Sequence, residues 1–190
     1  ETSGGTVGAS YLVSNGYIGV SVGRLERQYG IPGHSHAHAH DDEAGDDHDH
    51  GAETEHAEER VYADLTQDRF QLQSSLHFDG WLHTLNSRFG YTDYQHAEIE
   101  AGVVGTTFKN RSEELRLELL HRDYLHWKGG LSVHYKNSDF AAVGSEAFTP
   151  PSSTEMLALG WMEERHFGPV LVQLGARTER VTIKAADVLL

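Results

Sequence analysis

Residues 111–122 read RSEELRLELLHR, and the reading of this stretch decides the fold class. Glu, Leu and Arg all favour helices. Yet Leu115, Leu117 and Leu119 recur at every second position, with Arg116 and Glu118 between them. A period of two belongs to a strand with one apolar and one polar face, whereas a helix repeats every three to four residues. We therefore read a strand.

The same period runs outward in both directions. Ile18, Val20 and Val22 alternate with Gly19 and Ser21, and Leu131, Val133 and Tyr135 alternate with Ser132, His134 and Lys136. Val170, Val172, Leu174 and Ala176 alternate with Gln173, Gly175 and Arg177. Eight strands are expected, near 5–13, 16–27, 60–76, 83–95, 105–122, 127–138, 153–165 and 169–182. Short connections rich in Gly, Asn or Asp (Ser14-Asn15, 77–82, 123–126 and 166–168) alternate with longer ones at 28–59, 96–104 and 139–152. In an antiparallel meander every second connection emerges at one edge, so all three longer loops should share a rim.

Sorting loops by length in this way is a habit of outer-membrane barrels, which pair short periplasmic turns with longer extracellular loops. The expected fold is therefore all-β, an antiparallel up-and-down meander forming part of a transmembrane β-barrel wall. No apolar run approaches the roughly 20 residues of a membrane helix, which leaves spanning strands untouched as a possibility. Leu115, Leu117, Leu119, Leu131, Val133, Val172 and Leu174 should then face hydrocarbon. Arg116, Glu118, His134, Lys136, Gln173 and Arg177 should face a wet lumen, because a charge at mid-bilayer costs about 2–4 kcal/mol. Trp81, Tyr91, Tyr94, Tyr124, Trp127, Trp161 and Phe167 lie near element ends, where interfacial girdles form.

One segment has no such pattern. Residues 34–60, HSHAHAHDDEAGDDHDHGAETEHAEER, hold seven histidines and ten carboxylates in twenty-seven positions. With almost nothing apolar to bury, the tract is expected to be a disordered loop over 34–59. Neutral imidazole and carboxylate together suit borderline divalent ions. His34, His36, His38, His40, His48, His50 and His56 are thus candidate metal ligands that act as a crowd, any four donors completing a tetrahedral shell. A solvated, polyanionic surface loop is the plainer alternative. A second candidate cluster is His96, Glu98 and Glu100 in YQHAEIE, spaced to share one side of an extended chain, with Asp93 as a weaker fourth donor. His77, His83, His121, His126 and His166, near the short turns, are read as solvent or interface residues.

Of the formal charge of -14, the tract contributes ten acids against Arg60, or -9, leaving -5 for the other 163 residues. No basic patch argues for nucleic acid. The absence of cysteine removes thiolate sites and cysteine nucleophiles. No HExxH pair, serine triad pattern or phosphate loop argues for an enzyme. The chain begins at Glu1 without a leader and is read as a processed product or a fragment.

Three stretches carry a family resemblance. NGYIGVSVGRLERQYGIPGH at 15–34, followed by the histidine tract, resembles the third-loop region of TonB-dependent outer-membrane receptors of the zinc-uptake type. FGYTDYQHAEIEAGVVGTTFKN at 89–110 and SDFAAVGSEAFTPPSST at 138–154 are similar to segments further along the same barrels. YGIPGH at 29–34 is the more specific mark, and GTTFKN at 105–110 belongs to these receptors more broadly.

The resemblance covers essentially all of residues 1–190 and implies part of a 22-stranded barrel in the bacterial outer membrane, with the long loops extracellular. It implies zinc as the transported ligand, with copper, nickel or cobalt able to replace it on nitrogen and oxygen donors. Implied partners are the divalent metal, outer-membrane lipid and, through a plug domain that this sequence lacks, the TonB complex. The wall of a related receptor for a siderophore or other chelate is the alternative.

Imidazole must be neutral to ligate, so a peptide spanning 28–60 should bind several zinc ions at pH 7.5 and release them as pH falls through about 6.5. Calorimetric titration reads this directly. Binding that is absent at pH 7.5, or undiminished at pH 5, contradicts it.

Overall fold

The structure, a computed structural model, describes residues 1–31, 61–144 and 147–186. Eight strands follow one another in chain order: β1 (Thr2–Val13), β2 (Gly16–Gly30), β3 (Tyr62–His77), β4 (Leu82–Glu100), β5 (Val103–His121), β6 (Lys128–Gly144), β7 (Ser152–Phe167) and β8 (Val170–Ala185). Each pairs antiparallel with the next in a single sheet, β1 to β8 in order, that does not close on itself. The expected all-β, up-and-down meander is what the chain forms, and RSEELRLELLHR lies within and just past β5.

The strands run further than the sequence suggested. β4 and β5 are 19 residues each and meet at Ala101-Gly102. The expected loop at 96–104 is therefore a two-residue hairpin turn. Ala101 and Gly102 take φ of 50° and 80°, the left-handed pair that matches a turn to the twist of its strands. The run HAEIE resembled loop because it is short and mostly polar, although Ala97 and Ile99 share one face, and ladder pairing continues through it. A register shift between Glu98 and Ile99 absorbs one extra residue opposite β4. The loop at 139–152 shortens likewise, since β6 runs to Gly144. The connection after Gly30 and the Ala101-Gly102 turn emerge at one rim, as expected, although the sorting of loops by length is weaker than the sequence suggested.

Pairing in the ladders defines two faces. Val7, Val22, Phe70 and Tyr91 form one side-chain row across β1 to β4, and Phe89, Leu115, Tyr135 and Leu157 form the next across β4 to β7. All seven residues assigned to the apolar side fall on this face, and Arg116, Glu118, His134, Lys136, Gln173 and Arg177 fall on the other. Among the described residues the buried apolar side chains are only Ala63, Ile99, Ala142 and Ala158, while Val22, Leu131, Leu159 and Val170 are about half exposed or more. The sheet is one layer with an uncovered apolar band.

The hairpin at 101–102 gives a test of the backbone alone. Nothing lies within 4 Å of a Cβ built on Gly102. Gly102→Ala should thus cost about 1–2 kcal/mol through its left-handed φ and nothing through contact. An unchanged denaturation midpoint would contradict this account of the turn.

Candidate functional site

The second candidate cluster lies near the rim where the chain leaves β2 and returns to β3. His96 pairs with Leu65 of β3 and Phe108 of β5, and Glu98 pairs with Ala63 and Thr106. Because β4 stays extended to Glu100, His96, Glu98 and Glu100 keep the common side that their spacing implied. Extension also separates them. Successive same-face residues on a strand lie about 6.7 Å apart, so three in a row span about 13 Å. Donors on one zinc ion, each about 2.0–2.2 Å from the metal, must lie within about 4 Å of one another. Among the described residues no three His, Asp or Glu side chains are grouped to hold an ion. His96 and Glu98 are thus at most part of a shell.

Asp93 does not join them. Its odd position puts it on the apolar-banded face, where it accepts a hydrogen bond from Arg111 Nε at 3.0 Å. That contact and the Asp93 charge hold the Arg111 guanidinium above its ordinary range. Asp93 sits in a charged row just above the band, running Arg24, Asp68, Asp93, Arg111 and Asp139 across five strands. His34, His36, His38, His40, His48, His50 and His56 lie outside the described residues.

What the structure brings to His96 is aromatic. The ring stacks on Phe108 at 4.6 Å between centroids and 18° between planes. The Tyr94 hydroxyl lies 3.0 Å from His96 Nδ1. Burial, with the Tyr29 hydroxyl nearby, pushes the Tyr94 phenol up, which keeps it neutral. Tyr94 therefore belongs on the polar face with His96 and not in an outward girdle. The two-residue spacing from Tyr94 to His96 carried this signal; the partnership with Phe108 depended on register.

At the opposite rim, His121, expected from sequence to be a solvent or interface residue, is held by two hydrogen-bond partners. Its Nε2 lies 2.8 Å from Glu163 Oε1 and its Nδ1 lies 2.6 Å from the Arg122 carbonyl oxygen. Both partners are acceptors, a geometry that favours the imidazolium, the form in which both ring nitrogens donate. The pair reaches from β5 to β7 across β6 at Gly129, which pairs with Glu163. A Cβ at Gly129 would lie 2.8 Å from Glu163 Cδ and 2.0 Å from the Met162 carbonyl oxygen. Trp81 stacks on His121 at 5.9 Å, and the Arg165 guanidinium lies 4.6 Å from the Phe167 ring. The two side chains keep only 10% and 16% of their exposure.

No protein-family model matches the chain.

The Arg122 carbonyl and then Glu163 raise the His121 pKa against the opposing effect of burial. A raised folded-state value stabilises the protonated form. Its contribution is complete below the unfolded value of about 6.5 and fades as pH climbs through the raised one. Thermal melts of the parent and of Glu163→Gln should therefore differ at pH 5.5 and converge in alkaline buffer. A difference that holds constant, or grows with pH, would refute the imidazolium pair.

Proposed function

We propose that this chain is wall from a TonB-dependent outer-membrane receptor for zinc or a similar divalent metal, with the histidine tract as its metal-capturing extracellular loop. The observation that carries the membrane part is a continuous apolar band on one face of a single-layer sheet, with Val22, Leu131, Leu159 and Val170 about half exposed or more. Tyr91 on β4 tops the band in a row that holds Glu113 on β5, Glu155 on β7 and Thr182 on β8. The top falls to Leu115 on β5 and Leu157 on β7, one row lower, and to Ala176 on β8, three rows lower. The lower limit stays level, since Val13, Leu76, Leu85, Leu119, Leu131 and Trp161 share one row from β1 to β7, and only β8 carries it further, to Val170. The band is thus about four rows deep, and six to eight residues reach roughly 20–26 Å along a strand, close to the apolar height of about 25 Å in outer-membrane barrels.

Strand length supports the same reading. Nineteen residues reach roughly 60 Å, whereas about 9–11 residues cross a bilayer. The surplus lies on the side where the charged row and His96 sit. It carries the wall past the lipid toward the rim that bears the tract. Zinc is supported by the chemistry of the tract and by His96 with Glu98 on the polar face, and the resemblance at 15–34 and 89–110 points the same way.

Two measurements test the halves separately. Leu117→Arg should lower stability of the protein in lipid vesicles by about 2–4 kcal/mol, against near zero for Ser112→Arg on the polar face. Equal effects would remove the lipid assignment. In cells expressing the receptor that contains this chain, His96→Ala should raise the zinc concentration needed for radiometal uptake. Loss of any one tract histidine should change nothing, because six imidazoles still fill a four-coordinate shell. Parental uptake by His96→Ala across a full zinc titration, together with uptake of an iron chelate, would favour the siderophore alternative.

A further inference from the structure

We propose that Tyr94 is a positioning residue for His96, fixing which ring nitrogen meets the cation; this rests on the metal-handling reading above. A histidine can offer a metal only a nitrogen that carries no proton, and the other nitrogen then needs an acceptor for its N–H. In this sheet a group able to accept is already in place, a phenol hydroxyl that could equally donate to a bare nitrogen in the other tautomer. The Tyr94 oxygen stands 3.0 Å from His96 Nδ1, two residues back on the same face of β4. Among the described residues no hydrogen bond engages His96 Nε2.

The ring plane is held as well. Phe108 lies directly across the ladder and stacks on the imidazole at 4.6 Å. Phe140, 6.4 Å beyond Phe108 by centroid, backs that ring in turn. The ring is thus clamped on one side by a stack and at one nitrogen by a phenol. With the Nδ1 proton donated to Tyr94, the Nε2 lone pair is the one left to meet a borderline divalent ion. Glu98, next along the same face, is the nearest carboxylate in sequence that can share the ion. The remaining donors come from outside this face, since the described residues assemble no third ligand.

This differs from a purely structural role for Tyr94. A tyrosine that only packs would be replaced by phenylalanine without consequence for the imidazole. A positioning tyrosine loses its hydroxyl and, with it, control of the tautomer, while the sheet keeps its ring.

The test reads His96 itself, which separates it from the tract. Protein labelled with 15N at histidine is titrated with Zn2+ and followed at both His96 nitrogens, assigned by difference against His96→Gln. Zinc should shift Nε2 and leave Nδ1 protonated. In Tyr94→Phe the apparent Kd at His96 should rise about tenfold, the lower end of the usual effect of removing an outer hydrogen bond to a ligand. Circular dichroism and the thermal midpoint should stay at parental values. Zinc engaging Nδ1, or an unchanged Kd in Tyr94→Phe, overturns the positioning role while leaving metal binding by His96 intact. No zinc-dependent shift at either nitrogen of the parent overturns the metal reading of His96 together with the inference.

Discussion

A single layer of sheet has to satisfy two environments at once, and everything else in this protein follows from that. Backbone donors and acceptors are met strand to strand, so they ask nothing of the surroundings except at the outer edges of β1 and β8. Side chains have no such internal solution. Among the described residues the buried apolar set is three alanines and Ile99, far too little to hold a domain together by burial. The favourable term has to come from whatever covers the apolar band. In a bilayer, lipid does so without a second protein layer, which is why a one-layer wall is a workable architecture there and a poor one in water.

Above and below the band the chemistry changes, and the changes are ordered. On the side of the Ala101-Gly102 turn the banded face passes into the charged row from Arg24 to Asp139. These are exposed pairs, each worth little individually. Their joint effect is to end the apolar region abruptly. On the side of the other turns the transition is aromatic, with Trp81, Trp127 and Phe167 around the His121–Glu163 pair. That pair exists because Gly129 leaves a gap between β5 and β7 through which two side chains meet. Two sites with histidine at the centre thus stand at opposite ends of the strands. In one both ring nitrogens are engaged, although Glu163 Oε2 is buried without a hydrogen-bond partner among the described residues, and the other keeps a ring nitrogen free.

Alternation made the strands legible because it is a local property: Leu115, Leu117 and Leu119 reveal their shared face without reference to any other part of the chain. The loop assigned to 96–104 failed for the same reason. HAEIEAG offers only Ala97 and Ile99 against His96, Glu98 and Glu100, an alternation too short to outweigh its polar composition, and what extends it is pairing with Thr106, Phe108 and their neighbours across the turn. Asp93 could have been excluded by counting, since an odd position cannot share a face with 96, 98 and 100 on an unbroken strand. The side on which His96 lies was legible, whereas the aromatic ring stacked on it was not.

Sequence by itself determined that the chain is β, how many strands it makes, which residues share each face, and that seven histidines and ten carboxylates are concentrated in one polar tract. All of these are set by spacing along the chain. Only the tertiary structure decided which rows those faces form. His96 and Phe108 are 12 positions apart, and His121 and Glu163 are 42 apart. Register brings each pair together, and register is the running sum of every turn length and bulge between the partners. The alignment of the apolar segments into one band has the same origin. Each strand carries its own apolar segment, but the height at which it meets its neighbour's segment is fixed only when the ladders form.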